Sequence, residues 1–274
     1  MVSELRPRGI GEILDSAVAL YRARFRQLAL VAAAVVVPVQ TLSALVLLSA
    51  QPDRFSISVT GSVNPQYDSS NAAVQLAAVL VVALVTVLST ALIVAVCTRI
   101  VADAYIDRGT ATREEVKAVR PRLFGVIGVS LIVLVSEAIG VAFCFVGLLV
   151  PLTVFAVAVP ALILESVGVG TALGRSIELT RKNSMHVLGL VLTTQLLTGL
   201  LNVGLAEGVR LLLRAGSSTV ALVIAQSIAS AIAGVLTTPF VATAIVALYF
   251  DLRIRNEAFD VQLLMQRNDT RLAT

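Results

Sequence analysis

The sequence predicts an all-α integral membrane protein with six transmembrane helices, and three observations lead to this fold class. Hydrophobic residues make up 57% of the 274 residues and charged residues only 14%, whereas soluble domains carry about 25% charged residues. Six apolar runs are each long enough to cross a bilayer, which takes about 20 helical residues. The Lys and Arg residues are concentrated in alternate loops. A single membrane domain therefore accounts for residues 1–274.

The six predicted spans cover most of the chain. They lie at about 28–50, 72–98, 123–146, 148–165, 187–206 and 219–249, and residues 250–274 are predicted to form a tail. The first run is longer than the core of a signal peptide, which has about 7–15 residues, so we expect it to remain as the first span. The last run is long enough to tilt or to extend past the membrane.

The charge distribution predicts the orientation. Eighteen of the 21 Lys and Arg residues fall before span 1, between spans 2 and 3, between spans 4 and 5, or after span 6. Because positive loops stay on the cytoplasmic side, we expect both termini in the cytoplasm of a bacterium and the spans in its plasma membrane. The excess of Lys and Arg over Asp and Glu then reflects the orientation of the chain in the membrane. Because no basic-aromatic motif accompanies it, it does not indicate nucleic-acid binding.

An amphipathic helix is predicted at about 10–26, ahead of span 1. Apolar residues from Ile10 to Leu28 recur at helical spacing on one face. Arg22 and Arg24 lie in its last turns, where the helix dipole favours positive charge. We expect this helix to lie in the inner membrane interface, with its arginines near anionic headgroups.

The pattern of this helix returns twice. A shift of 159 residues places Gly9, Leu14 and Arg22 on Gly168, Leu173 and Arg181. A shift of 98 gives a fainter copy, which places Arg22 and Arg24 on Arg120 and Arg122. The sequence therefore predicts three units, each an interfacial helix followed by two spans in the same orientation. The candidate contacts with inner-face lipid or with a partner are Arg22, Arg24, Arg120, Arg122 and Arg181.

Glu137, in span 3, is the leading candidate for a functional intramembrane residue. A carboxylate at the predicted depth is costly, so we expect it to face the bundle interior or a wet cavity. Gln40 and Gln195 lie at similar predicted depth and complete the candidate polar site. Threonine and serine residues of the other spans extend it to a possible polar track, and the alternative is that these groups form interhelical hydrogen bonds.

Enzyme motifs are scarce in this chain. It contains no phosphate-binding GxxxxGK[ST] loop, no GxSxG elbow and no HExxH. We therefore assign no catalytic residue, no metal ligand and no cofactor. Cys97 and Cys144 fall in different spans, near opposite faces, which argues against a disulfide.

Two smaller features complete the predictions. Residues 55–60 of the external loop 51–71 alternate apolar and polar side chains, which is typical of a short strand or of an extended surface loop. Gly204 and Gly208 form a GxxxG pattern in span 5, which favours close helix packing first and an oligomer contact second.

Three stretches resemble a known family. They are LRPRGIGEILDSAVALYRARF at the start, RIVADAYIDRG after span 2 and LYFDLRIRNEAFDVQLL after span 6. They look like the bacterial, often actinobacterial, membrane proteins named for the glycerophosphoryl diester phosphodiesterase membrane domain. Members that gave the family its name carry a soluble catalytic domain, for which this chain has no room. The resemblance therefore implies a membrane subunit or anchor rather than a hydrolase.

Two functions remain open from the sequence, while the missing motifs disfavour a third, a membrane enzyme that acts on a phospholipid. The first is a non-enzymatic scaffold or subunit of an envelope or lipid-linked complex, whose basic inner face contacts anionic lipid or a protein partner. The alternative is a transporter of small molecules or lipids that uses a central polar cavity around Glu137. The oligomeric state is not predicted.

Overall fold

The computed structural model describes residues 9–49, 69–106, 117–142, 146–213 and 219–257. Nine α-helices lie in these ranges: α1 (Ile10–Ala23), α2 (Phe25–Ser49), α3 (Ser69–Ile106), α4 (Leu123–Ala142), α5 (Val146–Val154), α6 (Ala158–Glu165), α7 (Val169–Arg181), α8 (Ser184–Leu213) and α9 (Thr219–Glu257). A 3-10 turn at Arg120–Arg122 precedes α4. The predicted strand at 55–60 and Cys144 lie outside the described residues.

The all-α multi-pass architecture is confirmed. Six helical segments are long and apolar enough to cross a membrane: Phe25–Val46, Leu76–Ala104, Lys117–Ala142, Gly147–Glu165, Ser184–Leu212 and Ile224–Asn256. The fourth differs from the predicted continuous span, because it is broken between α5 and α6. The last helix continues to Glu257, so the first residues of the predicted tail are helical.

The spans form a closed ring in which neighbours pack in the order α2, α3, α4, α5, α8 and α9, and α9 returns to α2. Helices α3, α6 and α9, each at the end of a predicted unit, also contact one another. We call the end of the bundle at which α2, α4 and α8 begin and α3, α6 and α9 end the basic end, because many of the described arginines lie there, among them Arg22, Arg120, Arg122, Arg181 and Arg255. The opposite end is called the far end.

The amphipathic helices α1 and α7 are packed parts of this bundle. Ile13 and Ala17 of α1 are fully buried, and so are Ala172 and Ser176 of α7, which are their equivalents after the shift of 159 residues. The same register therefore faces the bundle in both helices, as repeated units predict.

The three units follow one another around the ring in the same way. Helix α1 packs on α9, the last span of the third unit, and α7 packs on α6, the last span of the second unit. In the second unit, the described residue Val119 is 1% exposed and belongs to one apolar cluster with Ile100 and Val101 of α3. Helix α1, helix α7 and the segment around Val119 therefore each pack on the last span of the unit before them.

The densest part of the core lies toward the basic end. Buried apolar residues run from Ile93 to Ala102 in α3 and from Ala242 to Leu252 in α9. Toward the far end, the same helices expose large apolar side chains such as Leu80, Ile228 and Ile232. The basic end is thus a tightly packed unit, and the far-end halves present more of their apolar surface to the surroundings.

Candidate functional site at the basic end

The three residues of the predicted intramembrane site lie apart. Gln40 is on α2, Glu137 on α4 and Gln195 on α8, three helices that are not neighbours in the ring. Helix α4 ends at Ala142, so Glu137 lies nearer the far end than the middle of its span. Gln195 is exposed on the outside of the bundle. The arrangement gives no direct support for a shared cavity around Glu137.

Four threonine hydroxyl groups of the predicted polar track bond within their own helices. The side chains of Thr41, Thr86 and Thr194 donate to the carbonyls of Val37, Val82 and Leu190 at 2.8 Å each. Thr237 does the same with Ala233 at 2.8 Å. These groups therefore need neither a water-filled track nor an interhelical partner.

A large cleft does exist between α2 and α9, toward the far end. It encloses about 630 Å³, and its walls are mainly aliphatic, with Val37 and Leu45 from α2 and Ile228 and Ile232 from α9. Gln40 and Thr41 line it, whereas Glu137 and Gln195 do not. Its chemistry suits a hydrocarbon chain better than a polar solute.

Three of the five predicted inner-face arginines are exposed at equivalent positions. Arg22, Arg120 and Arg181 are all exposed, and each is related to the others by the repeat shifts of 98 and 159 residues. None of the three forms an ion pair or a side-chain hydrogen bond with a residue in the described ranges. Within the part of the chain that the structure describes, they therefore offer three unpaired guanidinium groups, one from each unit.

The other two arginines have structural partners. Arg24 donates to the Gln27 carboxamide at 3.4 Å. Arg122 donates to the carbonyl of Ile163 and to the hydroxyl of Ser166, which lie at the C-terminal end of α6. Because the last carbonyls of a helix have no partner within it, Arg122 acts as a cap that joins α4 to α6.

The break in span 4 supplies an anchor for α7. Pro160 has no N–H, and its ring disfavours regular helix through the preceding turn. Ala158 N–H donates to the Phe155 carbonyl at 3.1 Å instead of to Val154. The freed carbonyl of Val154 accepts from Ser176 at 2.7 Å and from Thr180 at 3.4 Å. This hydrogen-bonded use of the helix break could not be predicted from the sequence.

Helix α1 is anchored on α9 in a comparable way. Tyr21, the equivalent of Thr180, donates its hydroxyl proton to the carbonyl of Leu236 at 3.0 Å. Its ring meets that of Phe240 edge to face, with 6.1 Å between centroids. Burial, and to a smaller extent Cys97, raises the pKa of Tyr21, so its hydroxyl stays a donor at neutral pH.

Glu165 is the centre of the polar network at the basic end. Its carboxylate accepts from Arg175 Nε at 3.1 and 3.2 Å and from the hydroxyl of Tyr249 at 2.8 Å. Arg175 also donates to Glu178 at 2.9 Å. One carboxylate at the end of α6 thereby links α6 to both α7 and α9.

The positive charge of Arg175 is stabilised by its neighbours. Burial opposes this charge, but the hydrogen bonds to Glu165 and Glu178 outweigh burial and raise the pKa of Arg175. Since the guanidinium remains protonated at any physiological pH, Arg175 stays a donor to both carboxylates.

Asp251 forms a second centre on the same helix as Tyr249. Its side chain is 2% exposed and accepts from Arg255 Nε at 2.6 Å. His186, at the start of α8, places Nε2 3.5 Å from the same carboxylate. Asn256 adds a bond to the carbonyl of Leu179 at 2.8 Å. Asn256 therefore joins α9 to α7, and His186 brings the start of α8 against the same end of α9.

These contacts were only partly visible in the sequence. The charged residues after span 6 predict a rim of ion pairs, but Glu165 and Arg175 stand ten positions apart in a pattern with no recognisable motif. The acidic residue at the end of span 4, Glu165, is the sequence signal that could have pointed to the site.

Within the described residues, no group of three or more His, Cys, Asp or Glu side chains is placed to hold a metal ion. We call the hydrogen-bond network that joins Glu165 to Arg175 and Tyr249 the clamp. The three exposed arginines lie at the same end of the bundle. Comparison of the chain with protein-family models, with curated proteins and with solved structures gives no match.

Proposed function

We propose that this chain is a non-enzymatic multi-pass subunit or scaffold of a membrane complex, with its basic end in the cytoplasm. The observation that carries the proposal is the set of Arg22, Arg120 and Arg181, which are equivalent by repeat and exposed. Guanidinium groups bind phosphate oxygens well, and the cytoplasmic leaflet supplies anionic headgroups. The chain would present these groups as one inner-face platform.

The rigidity of the basic end supports this proposal. A platform must hold its binding groups at fixed separations, and here α1 and α7 are each anchored by buried side chains and by hydrogen bonds to span carbonyls. The clamp around Glu165 adds a bond to each of two neighbouring helices. The resemblance of both ends of the chain to the phosphodiesterase membrane domain family agrees with a subunit or anchor in an envelope or lipid-linked complex.

A transporter is the second candidate. The cleft between α2 and α9 favours lipid handling over movement of a polar solute, because its walls are aliphatic. A transport function would therefore centre on Gln40 and the cleft rather than on Glu137.

Replacing Arg22, Arg120 and Arg181 together with glutamine is expected to weaken binding of phosphatidylglycerol. Each arginine near an anionic surface contributes about 1 kcal/mol, so the three together correspond to about a hundredfold loss in affinity. The measurement is a native mass spectrometry titration of the purified protein with phosphatidylglycerol, with phosphatidylcholine as the neutral reference.

The matched control is the triple lysine variant at the same three positions. It keeps the charge and should retain most of the binding. Equal phosphatidylglycerol affinity in the wild type and the glutamine variant would contradict the platform. Affinity purification of the same variants under mild detergent then tests whether a protein partner depends on these arginines.

A further inference from the structure

The exposed side of α8 carries a polar stripe in a position where a membrane protein normally presents aliphatic groups. Gln195, Gly199 and Asn202 follow one another at i, i+4 and i+7, and therefore lie on one helix face. Gln195 and Asn202 are exposed. The side of α8 that packs into the bundle is a different one, formed by Val187, Leu190, Thr194 and Thr198.

The carboxamide of Gln195 lies close to the middle of the membrane-spanning segment Ser184–Leu212. It forms no hydrogen bond with any residue that the structure describes. Asn202 donates to the carbonyl of Thr198 at 2.7 Å, which leaves its own side-chain oxygen available as an acceptor. Lipid chains offer no hydrogen-bond partner, so an exposed carboxamide at this depth is costly until another protein group covers it.

Gly199, between the two carboxamides, permits close approach. A Cβ atom at Gly199 would meet nothing within 4 Å, so no helix of the same chain in the described ranges uses this surface. Small residues let helix backbones approach, and polar side chains next to them form interhelical hydrogen bonds in membranes.

We propose that this stripe is the interface between two copies of the chain, related by a twofold axis along the membrane normal. A carboxamide is both a donor and an acceptor, so Gln195 of one copy satisfies Gln195 of the other. Glu207 and Arg210, toward the far end of the same helix, are 55% and 59% exposed. Arg210 lies about 60° around the helix from Gln195, at the edge of the stripe, and pairs with Glu207 at 3.1 Å within the helix.

The predicted GxxxG face is the alternative surface on the same helix. Gly204 lies about 140° around the helix from Gly199. A Cβ atom at Gly204 or Gly208 would also meet nothing within 4 Å, so the predicted close packing through these glycines does not occur among the described helices. The face around Gly204 carries Leu197 and Leu200 and lacks a carboxamide, which is why we assign the interface to Gln195.

Single-molecule photobleaching of the labelled full-length chain in phosphatidylglycerol–phosphatidylcholine vesicles tests this proposal. The wild type should show two bleaching steps at a density where Gln195→Leu and Gly199→Leu show mainly one, with dissociation constants raised about tenfold or more. Gly204→Leu is the matched control and should leave the dimer intact.

The thermal unfolding curve of each variant is compared with that of the wild type, to show that the variant is folded. If Gly199→Leu fails to fold, the result for Gln195→Leu alone decides the test. A monomeric wild type would overturn the proposal. So would a dimer that Gly204→Leu disrupts and Gln195→Leu leaves unchanged, because the interface would then be the GxxxG face.

Discussion

Replacing Gly140 with alanine is expected to destabilise the protein by about 3 kcal/mol or more, at the upper end of the range for overpacked sites. A Cβ atom at this position would lie 2.7 Å from the carbonyl oxygen of Gly147 and 2.9 Å from Cα of Leu148. These are backbone atoms, so no rotamer change can relieve the overlap. The new methyl group must push α4 and α5 apart, although alanine itself favours helix over glycine.

Gly189→Ala is the matched control for this substitution. Its Cβ would lie 2.8 Å from Cδ1 of Ile10, the far end of a flexible side chain that can move away, so we expect a loss below about 1 kcal/mol. Reversible unfolding in mixed micelles with increasing sodium dodecyl sulfate measures both variants. If Gly140→Ala unfolds at the wild-type detergent fraction, the close approach of α4 and α5 is wrong.

Tyr249→Ala is expected to cost about 3–5 kcal/mol, the range for removing a buried aromatic side chain. Tyr249 is 0% exposed, its hydroxyl donates to Glu165, and the guanidinium of Arg253 lies 5.8 Å from the centre of its ring. The substitution leaves a cavity among α1, α6 and α9 and removes the link between α6 and α9. The same detergent unfolding experiment measures the effect.

Tyr249→Phe separates the ring from the hydroxyl. It keeps the packing and loses one hydrogen bond to a charged group, worth about 1.5–3 kcal/mol. Phe124→Ala is the control for an exposed aromatic residue, since Phe124 is 88% exposed, and should change stability by less than about 0.5 kcal/mol. A loss for Tyr249→Ala no larger than for Phe124→Ala would contradict the clamp.

The helices themselves could be predicted from the sequence because local signals determine them. Long apolar runs predict the spans, and the periodicity of residues 10–26 predicts α1, whose buried residues Ile13 and Ala17 lie on the expected face. The echo at 167–184 likewise predicts α7. The repeat shift identifies which residues are equivalent, and the structure then places Arg22, Arg120 and Arg181 in equivalent exposed positions.

The clamp could not be predicted, because it depends on contacts between residues distant in sequence. Glu165 and Tyr249 are 84 positions apart and become neighbours only when α6 and α9 pack. Residues at a similar depth in the membrane can also face different sides of the bundle. Gln40 faces a cleft, whereas Gln195 faces outward. A pattern of polar residues at similar depth therefore predicts a common site only if the helices bring them to one side.

The closed ring of three units places α1 on the last span and brings the three exposed arginines to one end of the bundle. Closure occurs where α2 meets α9, and there a Cβ atom at Gly234 would lie 4.0 Å from Cβ of Val36. This separation is within the range of about 3.5–4.5 Å found in disulfides. The most direct test is therefore a cysteine pair at these two positions.

The test uses Val36→Cys with Gly234→Cys in a chain whose Cys97 and Cys144 are replaced by alanine, oxidised in native membranes and analysed by peptide mass spectrometry. We predict an intramolecular disulfide in most molecules. Val36→Cys paired with Ile132→Cys, on the exposed side of α4, should give none. No disulfide between positions 36 and 234, or one that forms no faster than in the control pair, would contradict the closed ring.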